Sequence, residues 1–242
     1  MGTVIVDFRD HSGFLWLQHL IGDELAAYDI GRGLFIALRR LLKEDLVFWD
    51  IGANAGTVSA YVATAFPGTR IFAFEPNPGI FNSLAALFSN VPRVTVYPLA
   101  LSDKDATVVL TIPKGKSVGG SIEGIEYVLK TSSLTEKEVD QVTVKAFKGD
   151  SLFLTEPSIA PPNVIKIDVE GHEPSVLAGL SETMHRHRPA ILFEHLYLSD
   201  QEVAKLVPEG YSLHSVNNTT GELISVFDRS VGHNSALLPV SR

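Results

Sequence analysis

The sequence predicts an α/β protein built on one mainly parallel sheet, and three observations carry that reading. Short runs rich in branched and aromatic residues, at residues 46–51, 70–74 and 94–98, read as buried strands. Segments of helical length at 57–65 and 79–88, with apolar residues three and four apart, separate those runs. The alternation resumes with a strand at 164–168, a helix at 174–180 and a strand at 190–194. Strands that alternate with helices favour parallel pairing, and a parallel sheet covered on both faces reads as continuously apolar.

Element by element, Pro174 suits a first helical turn, where its missing amide is not needed. Residues 106–112 alternate apolar and polar like an exposed hairpin strand, and the polar, Gly- and Ser-containing stretch 114–138 that follows is a candidate lid. Residues 211–216 and 222–227 flank Asn217-Asn218-Thr219-Thr220-Gly221, which predicts an antiparallel pair around a turn. Asn217 and Asn218 also begin glycosylation sequons, but the turn reading accounts for them. The basic cluster His185-Arg186-His187-Arg188 reads as a solvated turn before a strand.

The 242 residues carry 45% hydrophobic and 20% charged residues, which fits a single packed domain over 1–242, with 1–45 as an N-terminal helical extension on the substrate side. Trp16, Leu17, His19 and Leu20 would lie on a helix there, over the substrate mouth or simply packed. A net charge of −8 argues against nucleic acid as a partner, since phosphate binding needs a basic face. The absence of cysteine removes disulfides, thiolate metal sites and a thiol nucleophile. No run reaches the ~18 apolar residues of a membrane helix, and Asp7 interrupts the apolar N-terminus, so neither a membrane anchor nor a signal peptide is predicted; the expected location is cytoplasmic.

The strongest local signal is Val47-Phe48-Trp49-Asp50-Ile51-Gly52-Ala53-Asn54-Ala55-Gly56, an acid at a strand end followed by small residues and a helix start. Small residues let a ligand approach the backbone, and free amides at a helix start receive polar or anionic groups. Asn54 stands where a dinucleotide fingerprint has its middle glycine, which disfavours nicotinamide. Twenty-five residues on from Asp50, Phe74-Glu75-Pro76 places Glu75 at the carboxyl edge of the next strand, where a carboxylate can accept both hydroxyls of a ribose. These features alone support a nucleoside-binding α/β protein.

With Ala100-Leu101-Ser102-Asp103 and Lys166-Ile167-Asp168-Val169-Glu170-Gly171-His172-Glu173, the chain resembles the FkbM-type class I methyltransferases over residues 31–239. Gly119-Gly120-Ser121 and Arg188-Pro189 through Phe193-Glu194 match more weakly. The resemblance implies a Rossmann-like sheet of seven strands with the last antiparallel and helices on both faces. It implies S-adenosylmethionine as cofactor, bound by Asp50, Gly52, Ala53, Asn54, Gly56, Glu75 and Pro76, with adenine near Ala100 and Leu101 and with Asp168 beside it. The acceptor class it implies is a hydroxyl on a sugar or small natural product. One departure is Gly149, which precedes Asp150 where the family more often has Leu.

Asp168, Glu170 and His172 follow one strand and Glu194 and His195 end the next, so five ionisable groups are expected on one rim. An acceptor hydroxyl must lose a proton, for which Glu170 and His172 are the candidate bases. Asp168, Glu170 and Glu194 could instead hold a divalent ion, or Glu170 and Glu194 could orient substrate. His195 reads first as a structural residue. A nucleotide-dependent oxidoreductase and a non-catalytic binding module are the competing readings of the same fold.

Overall fold

A computed structural model describes residues 32–115 and 119–240. The expected N-terminal helix with Trp16, Leu17, His19 and Leu20 lies outside the described residues, as does the 116–118 part of the candidate lid. From the first described helix, α1 (Arg32–Leu41), the chain runs through β1 (Val47–Ile51), α2 (Thr57–Ala65), β2 (Arg70–Phe74), α3 (Pro78–Leu87) and β3 (Val94–Tyr97). Next come β4 (Ala100–Ser102), β5 (Ala106–Pro113), α4 (Ile125–Ser132), β6 (Val139–Lys148) and the short α5 (Leu152–Thr155). The last third holds β7 (Val164–Ile167), α6 (Glu173–Gly179), α7 (Ser181–His187), β8 (Ala190–Glu194), α8 (Asp200–Lys205), β9 (Tyr211–Val216), β10 (Leu223–Ile224) and β11 (Asn234–Pro239).

The main sheet has the order β10-β9-β11-β8-β7-β1-β2-β3, in which β1, β2, β3, β7 and β8 run parallel. β11 lies antiparallel between β8 and β9, so the last strand has the expected direction. The sheet has eight strands where seven were expected. Asn217 explains the eighth: its side chain accepts from the amides of Thr219 and Thr220, and the tight turn folds two residues back onto β9 as β10.

Strand pleating divides the core between the two faces of the sheet. Phe48, Ile71, Ala73, Val164 and Leu192 face one cluster with Leu34, Leu38, Val62 and Leu84. Trp49, Ile51, Phe72, Phe74, Ile165, Ile167 and Phe193 face the other, with Val176, Leu177 and Leu180. Burial on both faces is why these strands are uniformly apolar in sequence. No helix among the described residues is long and apolar enough to cross a membrane.

A second sheet of order β4-β6-β5 stands beside the first. Here the alternation of 106–112 is realised as β5, antiparallel to β6 along its whole length. The stretch 114–138 is no bare loop: it contains α4 and a 3-10 turn whose start Thr135 and Glu138 cap reciprocally. Gly149 also has a local reason, because a Cβ there would stand 2.4 Å from Leu180 Cδ2. The next residue, Asp150, accepts from the amides of Glu182 and Thr183 and caps α7. In the basic cluster, Arg188 donates to the carbonyls of Gly210 and Val240, tying the α7 end to the chain's last strand.

Candidate functional site

The order of strands reverses its progress at β1, with β2 on one side and β7 on the other, and open α/β sheets leave a crevice at the carboxyl edge of such a point. A cavity of about 400 Å³ occupies that place. Its lining includes Gly52, Ala53, Asn54, Glu75, Pro76, Ala100, Leu101, Asp168, Glu170, His172 and Glu194. The carboxyl ends of β1, β2, β7 and β8 therefore bring these sequence candidates together.

Two of the motif's expected cofactor residues, Asp50 and Gly56, do not line it. Asp50 is fully buried beneath the loop, accepting from Ser59 Oγ at 2.6 Å and paired with Lys166 Nζ at 3.3 Å. Lys166 in turn donates to the Gly52 carbonyl at 2.7 Å, so Asp50 shapes the loop through this lysine from below. Burial opposes the lysine's charge, but Asp50 and Asp168 outweigh it and its pKa is raised. Gly56 faces α3 instead of the cavity: at φ 85° an added Cβ would stand 2.4 Å from Leu84 Cδ1. Gly52, at φ 74°, lies so near β7 that a Cβ would meet the Asp168 carbonyl at 1.9 Å. These glycines serve close backbone approach within the protein.

Glu75 is held by two amides, Asn54 N to Oε2 and Asn77 N to Oε1, each at 2.8 Å. Burial raises its pKa against the opposing pull of those amides and of Lys166. Its carboxylate is thus fixed at the cavity wall with lone pairs left for a ligand's hydroxyls. Asn54, at φ 49°, carries a buried Oδ1 with no partner among the described residues. That oxygen could accept from a ligand ammonium.

At the β7–β8 end, Glu170 has a φ of 54° and precedes Gly171 at 97°, a left-handed pair that turns the Glu170 carboxylate into the cavity. Gly119 N donates to its Oε1 at 3.1 Å, and Ser121 Oγ donates to the Glu170 carbonyl at 2.8 Å. Burial, then the Asp168 charge, raises Glu170 to about 7. Burial, then Asp168, Glu170 and Glu173, raises Glu194 to about 9. Glu173, which accepts from the Val169 amide, is pushed by burial to about 7.

His172 is committed on both nitrogens: Nε2 lies 2.9 Å from Ser102 Oγ, and Nδ1 contacts Glu123. His195 leaves the expected rim altogether. Strand pleating turns it away from Glu194, and it is fully buried against Ser235, Phe193 and Phe227. Four ionisable groups of the predicted five therefore line the cavity. As arranged here, no group of three or more His, Asp or Glu among the described residues stands close enough together to hold a metal ion, Asp168, Glu170 and Glu194 included.

Sequence reasoning missed Ser102, Glu123 and Tyr197 as parts of this site. Ser102 stood inside a quoted motif, but its pairing with His172 spans 70 residues and has no local signal. Glu123 and Tyr197 are single residues in loops, with no spacing to mark them.

Comparison with known proteins places the chain in a family. A family model described as "Methyltransferase FkbM domain" matches residues 50–231. The hexuronic acid methyltransferase AglP of Haloferax volcanii is 32% identical over 183 residues, 74% of this chain and 69% of that protein. The 31-O-demethyl-FK506 methyltransferase FkbM of Streptomyces tacrolimicus is 30% identical over 161 residues, 57% of this chain and 60% of that one. Among solved structures, a methyltransferase FkbM from Methylobacillus flagellatus superposes with a TM-score of 0.53 at 15% identity, over 96% of this chain and 56% of that one, which speaks for the fold alone. On the strength of the family match and the haloarchaeal relative, the chain belongs to the FkbM methyltransferase family, with a class I methyltransferase fold.

Proposed function

We propose that the protein transfers a methyl group from S-adenosylmethionine to a hydroxyl oxygen of a sugar or small natural product. The observation that carries this reading is Glu75, fixed by the Asn54 and Asn77 amides at the wall of the one cavity that Asp168, Glu170 and Glu194 also line. Glu75 would take the ribose hydroxyls, Gly52, Ala53 and the unpartnered Asn54 Oδ1 the methionine end, and Ala100 and Leu101 the adenine. When bound, the cofactor supplies an electrophilic methyl on a sulfonium. The acids Asp168 and Glu170 make that part of the cavity favourable to a cation.

An acceptor hydroxyl that takes the methyl must lose its proton, and Glu170 would receive it. With both nitrogens of His172 committed, Glu170 is the better placed base, and a carboxylate near 7 suits proton transfer at neutral pH. The name of one relative, a 31-O-demethyl-FK506 methyltransferase, supports an oxygen acceptor, and that of another, a hexuronic acid methyltransferase, a sugar-derived one. Calorimetric titration with S-adenosylmethionine, S-adenosylhomocysteine and NAD tests the cofactor. Tight binding of the first two and none of NAD is expected; no binding of either overturns the reading. Transfer of labelled methyl to hydroxylated acceptors, with and without chelator, then tests the oxygen chemistry.

A further inference from the structure

The two ends of the cavity differ in chemistry. At the β7–β8 end the lining comprises Glu170, Glu194, Leu196, Tyr197, His233 and Asn234, and an aromatic ring stands among carboxyl and amide groups. We propose that this end is an acceptor subsite for an uncharged six-membered polyol ring, a neutral pyranose being the type, and that it rejects the same ring bearing a carboxylate. The inference deepens the methyltransferase reading and rests on it.

Tyr197 is 38% exposed, yet its ring is fixed. Tyr127 of α4 meets it edge to face, with centroids 6.1 Å apart at 75°. A braced aromatic ring suits the apolar C–H side of a pyranose, whose burial needs no polar partner. Asn234 and Glu194 are register partners across the β11–β8 ladder, so an amide and a carboxyl stand side by side at the strand ends beside that ring. Such a pair can both donate to and accept from neighbouring ring hydroxyls, because a carboxyl crowded by like charge retains its proton.

Charge decides against an anionic ring. An acceptor carboxylate would enter beside Asp168 and Glu170 and would need a cation. No arginine is found among the described lining residues, and Lys166 is engaged by Asp50, Asp168 and the Gly52 carbonyl. His172 is held by Ser102 and Glu123, and His233 sits exposed at the mouth.

The test uses the whole chain loaded with S-adenosylhomocysteine, whose binding is first measured by calorimetry. Saturation-transfer NMR is then recorded with methyl glucoside, galactoside and mannoside, and with the corresponding methyl uronates. Ring protons of at least one neutral glycoside should be saturated, with its uronate bound at least about tenfold more weakly, a difference of ~1.4 kcal/mol. Tyr197→Leu should abolish the transfer and Tyr197→Phe retain it, while Asp168→Asn should narrow the gap between neutral ring and uronate. If the cofactor product binds but no neutral glycoside does, or the uronate binds equally well, the inference is overturned and the methyltransferase reading stands. If the cofactor product itself fails to bind, that reading falls and the inference with it.

Discussion

The β1–β2 end and the β7–β8 end of the cavity both have acids at or beneath their walls, but the two ends hold those acids by different means. At the first, Glu75 is fixed by amides two and twenty-one residues away, and Asp50 by Ser59 nine residues on and by the lysine of the neighbouring strand. At the second, Glu170, Glu173 and Glu194 stand together with raised pKa values, and the segment 119–123 reaches across 49 or more residues to hold Glu170 and His172. Neutralised local charge gives a rigid binding end, and crowded charge gives an end that responds to pH and to what enters it.

The largest break in this contrast should come from Lys166→Met. Asp50 would stay fully buried with only the Ser59 hydroxyl, and removing one partner of a buried ion pair costs ~3–5 kcal/mol. Urea unfolding should show the loss, and Lys166→Met combined with Asp50→Leu should recover part of it. A loss under about 1 kcal/mol, the scale of an exposed pair, would mean that the buried pair does not hold the first end.

Glu75→Ala separates binding from folding at the same end. Loss of a charged hydrogen-bonding partner should weaken S-adenosylmethionine binding by ~1.5–3 kcal/mol in calorimetry. An unchanged affinity would remove Glu75 from the site.

Legibility in the sequence follows the same division. The parallel sheet was readable because β1, β2, β7 and β8 are buried on both faces and so continuously apolar. Gly52, Asn54 and Glu75 were readable as a local constellation, for the loop and the strand end that carry them are short-range features. What Asp50 and Gly56 do was not, because residue type marks a tight place without saying whether ligand or protein fills it; here Lys166 and Leu84 do. His195 went astray through strand pleating, since adjacent residues at a strand end face opposite sides. The ties of His172 and Glu170 to Ser102, Glu123 and Gly119 depend on tertiary contacts that no spacing encodes.

The second end should show its crowding as a pH dependence. Folding raises the pKa of Glu170 and Glu173 to about 7 and of Glu194 to about 9, so the native state holds these protons more firmly than the unfolded chain. Their contribution to stability is complete below the ordinary carboxylate value near 4.5 and is lost as pH rises through about 7 and then about 9. Thermal unfolding of the ligand-free protein between pH 6 and pH 10 should show falling stability. Glu194→Gln, which cannot ionise, should flatten the upper part of the curve. A wild-type curve that rises with pH over that window would show that these acids are not crowded in solution.

The smallest effect belongs to the strap between the ends. Glu123 bears a half-exposed carboxylate on His172, and His172 carries the contact on to Ser102 in β4, so one imidazole joins the α4 segment to the second sheet. Glu123→Gln keeps the size of the side chain and can still pair with the ring, but without the charge, which should cost only about 0.5–1.5 kcal/mol. The informative measurement is local: amide exchange in α4 should quicken while β1 and β2 stay protected. Faster exchange at β1 as well would mean that the two ends open together, and the contrast between them would reduce to one cooperative site.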